Sequence, residues 1–375
     1  MAGIYIHIPF CKQKCHYCNF FSVASVKWRD EFIRALCKEM EIRKDYLAGE
    51  KVKTVYFGGG TPSLLDIEHL TLSIEQLALH FDIEHGVEIT LEANPDDINE
   101  TSLKEWKKAG INRLSIGVQS FFDDDLHYLN RVHDASQALR ALELAREAGF
   151  DNLTIDLIYG IPTLSDEKWA KNLEIFFSLG IPHLSAYALT VEQKTPLAFL
   201  IEKGKYAPVD ENLSVGHFKM LLEQARAHDF IHYEISNFAK EGFYSKHNSL
   251  YWLGGHYLGL GPSAHSYNGY SRQWNVSNIS QYIKLDDFQS SVEEKEVLTI
   301  DQRYNEYVMT SLRTAWGCDT VHIRNVFGEK YERHFLENSQ RFIGMNHLSR
   351  EGTKYFLTEE GKLFADGIAA GMFVG

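Results

Sequence analysis

Three cysteines stand at C-x3-C-x2-C spacing in the run Tyr5-Ile6-His7-Ile8-Pro9-Phe10-Cys11-Lys12-Gln13-Lys14-Cys15-His16-Tyr17-Cys18. Iron–sulfur clusters are ordinarily held by four thiolates. Three thiolates with no fourth close by can hold three irons of a [4Fe–4S] cube and leave one iron without a protein ligand. An open iron can take a small chelating molecule, so the spacing points to chemistry at a cluster rather than to electron storage alone. The competing reading is a structural zinc site, which wants a fourth Cys or His, and His16 is the adjacent candidate.

Further polar groups follow at regular intervals. Gly58-Gly59-Gly60-Thr61-Pro62 can bring backbone N–H groups close to an anionic ligand. Glu92 stands in Glu92-Ala93-Asn94-Pro95, Gln119 in Gly117-Val118-Gln119-Ser120, Arg131 in Leu129-Asn130-Arg131-Val132-His133, and Asp156 between Ile155 and Leu157. Taken singly, each has an ordinary structural use. The glycines suit a turn, Glu92 a helix cap, Arg131 a surface ion pair, Gln119 a solvated loop, and Asp156 a backbone bond.

The elements around them give the set its meaning. Short β-branched runs alternate with helical patterns: strands over 4–8, 52–57, 87–91, 113–118, 153–158 and 183–189, and helices over 28–46, 67–81, 101–109, 136–148 and 167–179. Glycines 110, 149 and 180 close three of the helices. Six βα units predict a parallel sheet with crossover helices, two units short of a closed eight-stranded barrel. The expected fold is α/β, a partial (β/α)6 barrel. In such sheets ligands meet the C-terminal ends of the strands. The cysteines, the glycine run, Glu92, Gln119 and Asp156 all fall at that level.

After residue 200 the rhythm changes. A helix is expected over 213–228, with compact loops and short strands over 247–274, a segment rich in Gly, Tyr and Trp. A helix over 303–312, a strand over 355–358 and a helix over 359–373 predict a small, α-rich, winged-helix-like C-terminal domain. The expected divisions are 1–200, 201–295 and 296–375. The 375 residues carry 38 basic and 51 acidic side chains, a formal charge of -13. That balance argues against a nucleic-acid backbone as partner. No long apolar run predicts a membrane span and no signal peptide is evident. The five cysteines, three clustered and Cys37 and Cys318 isolated, fit a reducing cytoplasm.

The runs YIHIPFCKQKCHYC, GGGTPS, EANPDD, SIGVQSF, LNRVH and DLIYGIP, in this order between residue 4 and about residue 190, resemble the radical SAM proteins of the oxygen-independent coproporphyrinogen III oxidase group. The resemblance implies that Cys11, Cys15 and Cys18 hold a [4Fe–4S] cluster and that S-adenosylmethionine (SAM) chelates its open iron. It places Tyr5 and Tyr17 near SAM and the SAM amino end at Gly59, Gly60 and Thr61. Glu92, Gln119, Arg131 and Asp156 match SAM-contacting positions.

That group divides into coproporphyrinogen III dehydrogenases and heme chaperones. The dehydrogenases carry a further cysteine two places past the third, where this chain has Phe20, and a longer arm before the cluster, where this chain has ten residues. The run Lys246-His247-Asn248-Ser249-Leu250-Tyr251-Trp252 matches the H-N-x-x-Y-W motif of the chaperone branch. Phe20 is accordingly grouped with the cofactor-facing residues, and His247 is expected to touch heme, His being the commonest axial ligand to heme iron. The ordinary alternative is that His247 and Asn248 satisfy a loop backbone while Tyr251 and Trp252 fill a core. His256 and His265 lie in the same segment as substitutes. The expectation is a cytoplasmic heme chaperone with a heme-accepting partner, which the family resemblance suggests is respiratory. Peripheral membrane contact is compatible with that, and no residue is assigned a catalytic role. The alternative is the dehydrogenase itself, decarboxylating coproporphyrinogen III by radical chemistry that the cofactor supplies.

Overall fold

A computed structural model describes residues 2–285 and 292–375. Six strands lie side by side in chain order: β1 (Ala2–Ile8), β2 (Val52–Gly59), β3 (Ile83–Ala93), β4 (Arg113–Gln119), β5 (Leu153–Tyr159) and β6 (His183–Ala188). Every neighbouring pair among them is parallel. Parallel strands need long crossovers, and the helices Arg29–Ile42, Ile67–His80, Glu100–Ala109, Ala135–Glu147 and Asp166–Ser178 supply them.

Strand side chains alternate between two faces, and here the two faces differ in kind. Ile4, Ile6 and Ile8, Val55 and Phe57, Leu91, Leu114, Ile116 and Val118, and Ile155 and Leu157 point to the helices and share one buried cluster with Phe32, Leu36, Leu77, Trp106, Leu142 and Trp169. Burying each such side chain contributes roughly 1.5–3 kcal/mol. The other face carries Tyr5 and His7, Thr54 and Tyr56, Glu88, Thr90 and Glu92, Arg113 and Ser115, Thr154 and Asp156, and His183 and Ser185. That inner face is polar along its whole length and is the one available for chemistry.

The sheet extends beyond the six strands. A hairpin, β7 (Ile231–Glu234) and β8 (Asn237–Ala239), adds antiparallel to β6. At the other edge β9 (His256–Leu260) pairs parallel with β1, and antiparallel β10 (His265–Tyr267), β11 (Ser271–Asn275) and β12 (Val292–Val297) complete twelve strands. Residues 247–252, expected among compact loops and short strands, lie in a helix, Lys246–Trp252, capped by Ser245. Two further short helices, Asp123–Leu129 and Pro196–Glu202, stand where no element was expected.

At the C-terminal end, the helices Ile300–Leu312, Thr320–Phe327 and Glu329–Gly344 pack around a three-stranded sheet of Cys318–Asp319, Lys354–Leu357 and Leu348–Glu351. They share a separate apolar cluster of Tyr304, Val308, Phe335 and Tyr355. The single helix expected over 359–373 is two, Glu359–Lys362 and Ala365–Ala370. Cys318 is buried there and Cys37 is half-buried in the first crossover helix, each as a free thiol.

Candidate functional site

The cysteine loop leaves β1 and is stitched down on both sides. Cys11 N–H donates to Val23 O at 3.0 Å and Val23 N–H to Pro9 O at 2.7 Å, closing the loop at its neck. At its tip His16 N–H reaches Leu129 O at 3.1 Å, and Leu197 N–H reaches His16 O at 2.8 Å. The Asn130 side-chain amide donates to Lys14 O at 2.9 Å. The loop is therefore held by the segments that follow β4 and β6. Cys11 is buried, Cys15 and Cys18 are half-buried, and all three are free thiols.

A chain of hydrogen bonds joins two of the sulfurs, those of Cys15 and Cys11. Arg131 donates to Cys15 Sγ at 3.4 Å, to Asn94 Oδ1 at 2.7 Å and to Gly117 O at 2.7 Å. Asn94 Nδ2 donates to Thr61 Oγ1 at 3.3 Å, and the Thr61 hydroxyl donates to Cys11 Sγ at 3.6 Å. Gly60 backs the first cysteine. A Cβ there would lie 2.6 Å from Phe10 O, 2.8 Å from Ile8 O and 3.1 Å from Cys11 Sγ. Burial pushes the Cys11 and Cys18 thiols up, as it does the Tyr17 phenol, which also lies against Cys15. Such thiols stay protonated until a metal takes the proton's place.

The carboxylates stand on the inner face of β3 and β5, with β4 between them. Glu92 accepts from Tyr56 OH at 2.8 Å and from Gly59 N–H at 3.2 Å. Burial, with Asp156 nearby, raises its carboxyl to about 7. Asp156 accepts from Ser115 at 3.4 Å and is raised by burial to about 6, against the opposing pull of Arg113. Tyr5 stacks on Tyr56 with ring centres 6.1 Å apart. Gln119 is buried and takes a left-handed φ of 70°, unusual for a residue with a side chain. Its amide lies over Gly117, where a Cβ would be 2.9 Å from Gln119 Nε2 and 3.3 Å from Arg131 Nη2.

The strand ends thus bring together Cys11, Cys15, Cys18, Tyr17, Gly60, Thr61 and Arg131 at one level. Tyr5, Gly59, Glu92, Gln119 and Asp156 adjoin them. Two expected residues lie apart. Phe20 is 64% exposed at the end of the loop. His247 is 1% exposed, and the structure places it in the floor of the sheet's inner face rather than on an open surface. Its Nδ1 pairs with Thr54 Oγ1 at 2.9 Å and its Nε2 with Tyr251 OH at 2.8 Å, so neither nitrogen is free for iron. Its ring stacks on Tyr56 at 5.0 Å, and burial lowers its pKa to about 3.

His16, the zinc reading's fourth ligand, instead bonds Tyr128 O at 3.1 Å and packs edge-on against Tyr206. Among the described residues no group of three or more His, Cys, Asp or Glu side chains is gathered for a single ion. Two residues of the site escaped the sequence. Asn94, the link between Arg131 and Thr61, stands two places past Glu92 on the same strand parity, and Tyr56 stands two before Gly58. Face alternation could have drawn attention to both.

Known proteins resemble this chain over its full length. A family model described as the Radical SAM superfamily matches residues 5–176, and one described as the HemN C-terminal domain matches residues 298–364. A protein of Bacillus subtilis named heme chaperone HemW is 33% identical over 100% of both chains. The chain belongs to the HemW family of radical SAM proteins. A Haemophilus influenzae protein of that name is 33% identical over 96% of this chain and 95% of its own, and an Escherichia coli one 36% over 70% and 69%. The fold is that of the coproporphyrinogen III oxidase HemN from Escherichia coli, with a TM-score of 0.86 at 23% identity over 100% of this chain and 90% of that one.

The HemW-family pocket suits a cluster on observations of its own. Three free thiols lie within electrostatic reach of one another, Gly60 leaves no room for a methyl group beside Cys11, and a guanidinium whose buried Nε has no partner bonds the Cys15 sulfur. It also suits a cationic ligand. Glu92 is bonded only by neutral donors, and with burial and the nearby Asp156 raising its carboxyl, a positive group beside it would favour the charged form.

Proposed function

We propose that the protein binds heme and passes it to an acceptor protein, and that it carries a [4Fe–4S] cluster on Cys11, Cys15 and Cys18 with exchangeable SAM. The observation that supports this best is the full-length likeness to proteins named heme chaperones. When bound, the cluster would supply an electron to SAM at the open iron.

The chain's own residues do the rest. Arg131 and the Thr61 hydroxyl offset the negative charge of ligated sulfur, since hydrogen bonds to cluster sulfurs and local charge tune such centres. Gly59, Gly60 and Thr61 form the wall for the amino end of SAM. Glu92 offers its carboxylate to a positive group, with Tyr56 and Gly59 holding its orientation. Tyr5, Tyr17, Gln119 and Asp156 complete the surround and limit water. The divisions 1–200, 201–295 and 296–375 fit a barrel, a family-specific region and a C-terminal domain. Five free cysteines suit a reducing cytoplasm. Among the described residues no helix is long and apolar enough to cross a membrane.

The test supplies anaerobically reconstituted protein with heme and, separately, with coproporphyrinogen III. Stoichiometric heme binding without turnover is expected. Conversion of coproporphyrinogen III to protoporphyrinogen IX would replace this reading with the dehydrogenase one.

A further inference from the structure

With both nitrogens of His247 engaged in the floor of the inner face, a flat apolar ligand needs another surface, and the strand-end mouth offers one. Five large apolar side chains stand in water there: Phe20 (64% exposed), Val132 (53%), Tyr187 (43%), Val191 (39%) and Phe199 (55%). Single exposed apolar residues need no explanation, but these five all stand at or beyond the C-terminal ends of β1, β4 and β6. Phe20 ends the cysteine loop, and Val132 follows Arg131. Tyr187 pairs with Ile158 in register, two residues past the Asp156–Ser185 pair on the same face; its hydroxyl turns back toward Ser185 and Asp156 while part of the residue stays exposed at the mouth. Phe199 sits on the helix Pro196–Glu202, whose Leu197 is bonded to His16 in the cysteine loop.

Concave sites ringed by apolar side chains with a few polar groups are the usual form of a small-molecule site. Charge on these loops favours an anion. Lys14, Lys194 and Lys203 are exposed, with the Lys203 ammonium 5.5 Å from the centre of the Phe199 ring. Glu192 and Glu202 lie on the same segments, so the rim is mixed, yet it departs from a chain whose formal charge is -13. Heme matches both features, a flat apolar macrocycle bearing two carboxylates.

Resting on the heme-binding reading above, we infer that heme docks at the barrel mouth, with one face on Tyr187, its edges against Phe20 and Phe199, and its carboxylates toward Lys14, Lys194 and Lys203.

Heme titration of the anaerobically purified holoprotein, followed by the Soret band, tests the placement. The variants are Phe20→Glu with Phe199→Glu, Lys14→Glu with Lys203→Glu, and His247→Gln. All four rim side chains are exposed, so these replacements leave the fold intact, which iron content and melting temperature verify. Where His247→Gln does not fold, Tyr251→Phe takes its place. The dissociation constant should rise about tenfold or more in the phenylalanine pair. It should rise about threefold, with a changed salt dependence, in the lysine pair and stay within about twofold in the floor variant. An unchanged constant in the phenylalanine pair overturns the mouth placement while heme binding stands. So does a large loss confined to the floor variant. Failure of the wild-type protein to bind heme at all overturns the heme-binding reading, and this placement with it.

Discussion

The guanidinium of Arg131 lies 3.4 Å from the sulfur of Cys15 and continues through Asn94 and Thr61 to the sulfur of Cys11. One side chain from the segment after β4 thereby ties together groups from the ends of β1, β2 and β3. Its removal should be felt first at the cluster. Arg131→Met leaves Asn94 Oδ1 and Gly117 O without their donor. A lost charge-assisted bond costs about 1.5–3 kcal/mol. We expect a lower melting temperature and a marked loss of iron per chain after anaerobic desalting. Full retention of iron would show that Arg131 has no part in holding the cluster.

Glu92 predicts a pH dependence whose sign follows from its raised pKa. Unfolded, the carboxyl ionises near 4.5, and in the folded, ligand-free protein it ionises near 7. Below 4.5 it is protonated in both states and costs nothing. As the pH rises toward 7, ionisation in the unfolded chain alone destabilises the fold, and the penalty is fully present above 7. Its upper bound is roughly 3 kcal/mol, less where the mouth admits water. Melting temperature against pH should therefore fall between about pH 5 and pH 7 in wild type and flatten in Glu92→Gln. If SAM presents its positive charge to Glu92, binding near pH 6 should release protons, and calorimetry in buffers of different ionisation enthalpy reads this directly.

Gly60 is confined by backbone as well as by sulfur. In Gly60→Ala the added carbon would meet Phe10 O and Ile8 O, neither of which is a side chain that can swing away. The bond from Gly60 N–H to Ile8 O, 2.7 Å long, lies at the same spot. Overpacking of this kind costs about 1–3 kcal/mol. Denaturant unfolding should show that loss, and visible absorption should show a depleted cluster. Gly180→Ala makes a control, because no atom lies within 4 Å of the added carbon and only its positive φ is strained.

His247 should act as a stability residue. His247→Leu leaves Thr54 Oγ1 and Tyr251 OH unpaired inside the sheet, and each buried unsatisfied group costs about 1–3 kcal/mol. Urea unfolding measures the loss, while iron per folded chain should match wild type. With its pKa held near 3 by burial, the ring stays neutral from pH 5 to 8. The unfolded chain gains a proton near 6.5 that the folded chain does not take up, so the wild-type ring's contribution to stability is complete above about pH 6.5 and declines in acid. His247→Leu removes the His247 share of this acid-side decline, leaving the share of other buried histidines such as His7, His133 and His232.

These residues also mark how far the sequence carried. The barrel strands were legible because one face of each is apolar against a helix and the other polar, and because glycines stop the helices. The candidate site was legible where residue type and strand end coincide, as at Cys11, Thr61 and Glu92. The helix Lys246–Trp252 was not. It has seven residues, and Glu88 accepts the N–H groups of Lys246 and His247 at its start, a contact spanning more than 150 positions. Strand β9 was hidden for the same reason, since its partner β1 lies at the other end of the chain. The motif's histidine and aromatics suggested heme contact from their types alone. Their burial depends on Thr54, Tyr56 and Glu88, which no local pattern connects to them.

The most direct test is electron paramagnetic resonance of the reduced, anaerobically purified protein with and without SAM. A cluster on Cys11, Cys15 and Cys18 with one open iron predicts a [4Fe–4S] signal whose g-values move on SAM addition and which is lost when any one of the three cysteines becomes alanine. A signal indifferent to SAM, or one that survives intact in a cysteine variant, would contradict the account.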